Sequence, residues 1–295
     1  MRAYERLLKY VVVRTPSDEN SETVPSSQCQ FDLANILVEE LKALGIDNAY
    51  VDEKCFVYGK LAATPGYENA VKLGFIAHMD TVSDFCDHDI TPVITENYNG
   101  EDLVLGTSGR VLSVKDFPHL PSLKGRTLIT TDGTTLLGAD DKAGIAEILT
   151  AVDEIVKEGL PHGKICIGFT PDEEIGRGSD YFDVEGFGAD YAYTLDGDAE
   201  GEIQYENFNA STGFVTCHGV SVHTGSAKDI MVNSQTIATE FHQMLPADER
   251  PETTEGYEGF YHLNAMSGNV TTTNMKYLIR DFDKENFDKR AEKML

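Results

Sequence analysis

Four short clusters along the chain carry the residue types that hold cations and move protons: His78-Met79-Asp80, Asp140-Asp141, Glu173-Glu174 and Asp196. Side chains alternate with period two in an extended chain, so His78 and Asp80 point to the same side. A histidine that ligates a metal through one ring nitrogen needs the other held, and a carboxylate is its usual partner. An ordinary loop also accommodates His-x-Asp, and the spacing alone does not choose. Asp140-Asp141 follows Gly138 at an expected helix start, where one carboxylate caps backbone amides. The other is suited to bridging two metal ions about 3.5–4 Å apart. Glu173 and Glu174 repel each other unless a cation or solvent intervenes. At a metal, one ligates and its neighbour serves as general base. Asp196 adds a carboxylate of the kind zinc accepts.

The elements that precede these clusters make them one candidate site. Ser26-Ser27 lead into a helix over residues 28–44, with Leu33, Ile36, Leu37, Leu41 and Leu44 at helical spacing and Gly45 as its stop. Residues 72–77 read as a short apolar strand that runs into His78. Gly, Pro and Thr punctuation between Thr91 and Thr135 predicts hairpins and loops. Gly138 opens a second helix, striped by Ile145, Ile148, Leu149, Val152, Ile155 and Val156 and stopped by Gly159-Leu160-Pro161. A buried-type strand over 164–169 runs into Thr170-Pro171-Asp172-Glu173-Glu174, and one over 191–195 runs into Asp196-Gly197-Asp198.

This alternation predicts an α/β fold, a sheet flanked by helices. Ligands of such sheets bind beyond the carboxyl ends of the strands, where His78, Asp80, Glu173, Glu174 and Asp196 all fall. After Gly201 the texture changes. Strand-like runs over 203–222 and 261–282 flank a helix near 233–245, and another helix starts near Lys284. The expected organisation is a catalytic domain over 1–204 and a smaller α+β domain over 205–295.

Composition narrows the partners. The chain has 295 residues, and 24 Lys and Arg against 50 Asp and Glu leave a formal charge of −26. Such a surface repels phosphate backbones and anionic lipid, which excludes nucleic acid and membrane as expected partners. No apolar run approaches the ~20 residues of a membrane span. Cys29, Cys55, Cys86, Cys166 and Cys217 are odd in number and never form C-x-x-C, which argues against a disulfide framework or zinc knuckle. With no signal-peptide core at the start, the expected location is the cytoplasm.

His78-Met79-Asp80-Thr81-Val82, Gly138-Ala139-Asp140-Asp141-Lys142-Ala143-Gly144, Pro171-Asp172-Glu173-Glu174-Ile175-Gly176 and Leu195-Asp196-Gly197 resemble, in order, the motifs of the di-zinc M20 metallopeptidases. Residues 137–146, together with Gly219-Val220-Ser221-Val222-His223-Thr224-Gly225, resemble its tripeptide aminopeptidase branch. The resemblance implies two zinc ions per subunit, with His78 and Asp196 on the first, Glu174 on the second and Asp140 bridging. Asp80 would orient His78, and Glu173 would shuttle the proton. It implies a zinc-peptidase catalytic domain with a mixed central sheet, and a ferredoxin-like lid through which the protein forms a homodimer. His223 of that lid would reach the partner subunit's site and stabilise the oxyanion. The implied activity is release of the N-terminal residue of short peptides, tripeptides by preference, by way of a metal-bridging hydroxide.

Asn269 and Arg280, in the later strands of the lid, are substrate-binding candidates. Arg280 either clamps a substrate carboxylate bidentately or sits in a structural salt bridge. The chain departs from the family pattern in one respect. The family's last zinc ligand is a histidine in a C-terminal return segment, and no histidine follows Arg280. The expectation is therefore a fragment of a longer enzyme or a degenerate member. The rival readings are another M20 hydrolase (dipeptidase, carboxypeptidase or N-acyl amino acid deacylase) and an inactive metal-binding or dimerisation scaffold.

Overall fold

The computed structural model describes residues 1–197 and 200–295; Asp198, which closes the run after the 191–195 strand, lies outside the described residues. The chain divides into two units, Met1–Glu202 and Ile203–Leu295. In the first unit the elements follow as α1 (Ala3–Val11), α2 (Gln30–Ala43), β1 (Tyr50–Val51), β2 (Val57–Leu61), β3 (Leu73–His78), β4 (Pro92–Thr95), β5 (Leu103–Val104), β6 (Val111–Leu112), β7 (Leu128–Thr131), α3 (Ala139–Glu158), β8 (Ile165–Thr170), α4 (Val184–Phe187) and β9 (Tyr191–Thr194).

Five of the strands make a mixed sheet in the order β1-β2-β8-β3-β9. β1, β2 and β8 pair antiparallel, whereas β3 runs parallel to both β8 and β9. β8 is central, and all six of its residues are buried, as a strand covered on both faces requires. The core joins Ala77 of β3 and Ile165, Ile167 and Phe169 of β8 to Leu33, Leu37 and Leu41 of α2 and to Ile145, Ile148, Leu149 and Val152 of α3. Both long helices end where glycine permits a left-handed turn, at Gly45 (φ +88°) and Gly159 (φ +60°). β4 pairs with β7 and β5 with β6 as two small ribbons between β3 and α3.

The second unit contains β10 (Asn209–His218), α5 (Ser234–Met244), β11 (Phe260–Gly268), β12 (Thr272–Asp281) and α6 (Lys284–Met294). Its three strands are antiparallel in the order β10-β12-β11. Ala238, Tyr261, Met275, Tyr277 and Ile279 form its core. The whole chain is thus a mixed α/β structure. Among the described residues no helix is long and apolar enough to cross a membrane. All five cysteines are unbridged, and Cys166 is plain core in β8.

Several elements differ from the sequence reading. α1 has no counterpart in it, because the buried face of that helix carries a charge: Arg6 is 2% exposed and pairs with Glu40 and Asp153. β1 and β2 were not anticipated either. The 261–282 run is a hairpin, broken where Asn269 accepts backbone and hydroxyl bonds from Thr271. The 203–222 run forms a strand only over β10. Ile36 and Val156 face outward, each just over 40% exposed.

Candidate active site

Registry explains why the clusters meet. In the parallel set, His78 lies opposite Thr170 and Ile76 opposite Thr194, so β8 ends level with β3, which lies in the middle, and β9 ends two residues short, which brings Asp196 alongside His78. The Met79 amide donates to Thr170 O at 2.8 Å and the Leu195 amide to Ile76 O at 2.9 Å, extending the ladder one residue past the strands. His78 therefore projects from the centre, with Glu173 and Glu174 on one side and Asp196 on the other. The start of α3 adds Asp140. Gly138, at φ +72°, turns the chain into that helix, and the Asp140–Asp141 peptide is cis.

The His78 ring is held at both nitrogens. Nδ1 lies 3.0 Å from the backbone carbonyl of Asp80 and 3.4 Å from its carboxylate. Donation from Nδ1 leaves Nε2 as the ligating atom. Nε2 faces the acids, 3.0 Å from Asp140 Oδ1, 3.8 Å from Glu173 Oε2 and 3.9 Å from Asp196 Oδ2. Two groups of potential ligands share His78: one with Glu173 and Asp196, the other with Asp140 and Glu174, the ligand atoms of each group lying within 4.8 Å of one another. An imidazole nitrogen ringed by carboxylate oxygens is a donor set that suits a borderline divalent cation. The arrangement fits a metal centre.

Asp80 does more than face His78. Its buried carboxylate accepts the backbone N–H groups of Glu173 at 3.0 Å and Glu174 at 3.1 Å, which fixes the single 3-10 turn that bears both glutamates. Asp141 is the capping member of its pair. It accepts from the Gly144 amide at 3.1 Å and from the His78 amide at 3.2 Å.

Crowding of acids shifts the local acidities. Burial pulls His78 toward neutrality, but Asp80, Asp141 and Asp196 outweigh it and push its pKa up to about 10. Burial, reinforced by Asp196, raises Asp141 to about 8. Burial also raises Asp196 to about 6, with Asp140 and Glu173 adding to it against the pull of His78. Glu174 is raised by burial, and Asp140 adds repulsion. A cation bound among these groups would relieve that repulsion.

His223, Asn269 and Arg280 belong to the second unit. His223 is exposed, and its Nδ1 accepts the Gly225 amide at 3.1 Å, so the neutral ring carries its proton on Nε2 as an outward donor. Asn269 Oδ1 is engaged in the β11–β12 turn. Arg280 donates to the Ile279 carbonyl and stacks its guanidinium 5.3 Å from the centre of the Phe208 ring. Sequence reasoning passed over two fully buried polar residues, Asp172 and Lys142. The one signal for them was a charge within two residues of a site residue.

Residues 205–295 match the peptidase dimerisation domain of the M20 family. Peptidase T of Clostridium acetobutylicum is 54% identical over 293 residues, 99% of this chain and 72% of that protein. The chain belongs to the M20 peptidases, in their peptidase T branch. It is accordingly a peptidase. The fold agrees with the crystal structure of aminopeptidase PepT from Bacillus cereus, at a TM-score of 0.67 and 23% identity over 99% of this chain and 69% of that one. A second M20 structure, described as a dinuclear metal-binding peptidase from Bacillus subtilis, superposes with a TM-score of 0.51 at 11% identity, over 99% of this chain and 68% of that one.

Proposed function

We propose that this peptidase is a two-metal aminopeptidase, with zinc as the metal, that releases the N-terminal residue of short peptides and prefers tripeptides. The observation that carries the reading is His78 Nε2 at the junction of two acidic ligand groups. The peptidase T relatives support a peptide as substrate, and the dinuclear M20 structure supports two ions over one. His78 and Asp196 would hold one ion and Glu174 the other, with Asp140 a ligand available to both. Bound divalent ions supply Lewis acidity toward the scissile carbonyl and the attacking water.

The residues divide the remaining work. Asp80 holds the His78 ring by its backbone carbonyl and the glutamate turn by its carboxylate. Glu173, its side chain half exposed, takes the proton of the attacking water and returns it to the leaving amine. His223 offers its Nε2 proton to the oxyanion in a partner copy, as a homodimer formed through residues 205–295 allows. Five unbridged cysteines suit a cytoplasmic enzyme.

Glu173 Oε2 also lies close enough to His78 to ligate, and this favours a second reading in which it is a ligand rather than the base. Metal content of Glu173→Gln separates the two readings. A panel of tripeptides, dipeptides and N-acyl amino acids tests the substrate class. Fastest turnover of tripeptides with a free N-terminus supports the proposal, and preference for N-acyl amino acids overturns it.

A further inference from the structure

Four segments carry the site residues, and three of them are the exit of β3, the turn after β8 and the start of α3; the fourth is the exit of β9. One stretch of chain, residues 13–30, is bonded to the first three. At the β3 exit, Thr15 Oγ1 donates to the Met79 carbonyl at 2.7 Å. The Thr81 amide donates to Thr15 O, and the Ser17 amide donates to Thr81 O, each at 3.0 Å. At the start of α3, the fully buried Lys142 donates from Nζ to the Val13 carbonyl at 2.9 Å. At the turn after β8, the fully buried Asp172 carboxylate accepts from Ser26 N at 2.7 Å, Ser26 Oγ at 2.6 Å and Gln30 Nε2 at 2.7 Å. Its own amide donates to Gln30 Oε1 at 3.3 Å, and Arg177 Nη1 reaches the Ser21 carbonyl at 2.7 Å.

Neither Asp172 nor Lys142 belongs to the ligand groups, and neither has a part in the proposed reaction. Burying a carboxylate or an ammonium is costly, and here neither partner is an opposite charge: the acid is met by amide and hydroxyl donors, the lysine by a carbonyl. Well-packed apolar side chains would be cheaper for stability. What the polar bonds add is direction, since they hold a loop to a distance and an angle where apolar contact lets it slide. Asp172 immediately precedes Glu173, so its anchorage fixes where the glutamate turn meets Asp80.

We propose that residues 13–30 act as a strap that sets the spacing of these three site loops, with Asp172 and Lys142 as its positioning residues. Its effect on metal binding rests on the metal-centre reading above; its effect on loop order does not. The test uses the whole chain with Asp172→Asn, Lys142→Met and the swap Asp172→Asn with Gln30→Glu, which reverses donor and acceptor. The readouts are hydrogen exchange by mass spectrometry and cobalt affinity by absorbance titration. Asp172→Asn raises exchange over residues 171–178 at least tenfold and leaves residues 145–158 of α3 unchanged, while cobalt binds roughly 10–100-fold more weakly. Lys142→Met does the same at residues 138–142, and the swap restores exchange at 171–178. Unchanged exchange in these loops, or an equal rise throughout Met1–Glu202, overturns the strap. If Asp172→Asn does not fold, Ser26→Ala, which removes one donor, carries the same comparison. If the wild-type chain takes up no cobalt, the metal reading fails and loop exchange alone decides the strap.

Discussion

Asp80 Oδ1 lies 3.0 Å from the backbone nitrogen of Glu173, so the acid two places after the site histidine holds the turn that carries the candidate base. One carboxylate thereby ties two strand ends together. Asp80→Asn keeps the shape but presents an amide N–H toward a backbone N–H. Metal affinity is expected to fall about 10–100-fold, as measured by competition with a chromophoric chelator. Wild-type affinity in that variant would mean that Asp80 does not organise the site.

The pKa shifts give the chelated protein a definite pH dependence. His78, raised to about 10 from an ordinary value of about 6.5, contributes stability that is full below pH ~6.5 and is lost as pH rises through about 10. Asp196 and Asp141, raised to about 6 and about 8, also bind protons more tightly folded than unfolded, so ionising them costs stability as pH rises through those values. A metal ligated by His78 must displace its proton. Thermal midpoints with chelator should therefore fall from pH 6 to pH 9, and the gap to the zinc-loaded protein should widen. A gap independent of pH would contradict the assignment.

Gly144 allows α3 to pass close to the end of β9. A Cβ there would collide with the Leu195 carbonyl and the Asp141 carboxylate, next to Asp196 and Asp140 respectively. Gly144→Ala is expected to fold with a lowered midpoint and to bind metal more weakly, because backbone at Leu195 must move. Isothermal titration with zinc checks this. An unaltered zinc isotherm would show that Asp196 is not placed by this contact.

Arg6 anchors α1 through Glu40, Asp153 and Thr150, and the hydrogen bond from Lys157, with the bond from Arg6, holds Asp153 well below the usual carboxylate range. Arg6→Met removes the cation and leaves both acids part-buried. The expected loss is about 3 kcal/mol of stability, read by urea unfolding, with the metal affinity of the folded protein unchanged. A loss under about 1 kcal/mol would place this network among ordinary surface pairs.

The parts of the structure that could be read in the sequence are those in which one residue type has one physical use. The stripe Ile145, Ile148, Leu149 and Val152 and the glycine stops at Gly45 and Gly159 translate directly into α2, α3 and their ends. Acids placed just after apolar strands locate the candidate site, because parallel strands that end in register must bring them together. α1 was invisible because a buried arginine disguises its inner face. Asp172 and Lys142 escaped notice for a related reason. Their partners are backbone groups, a serine hydroxyl and a glutamine more than a hundred residues away, and no local pattern encodes such a bond.

Tripeptide turnover by Glu173→Gln in the zinc-loaded enzyme, with metal content measured on the same sample, tests the role of the candidate base most directly. General-base catalysis by Glu173 predicts a fall in kcat of about 10²–10⁴-fold with the zinc content of the wild type. Turnover within a factor of a few of the wild type, at full zinc content, would contradict it.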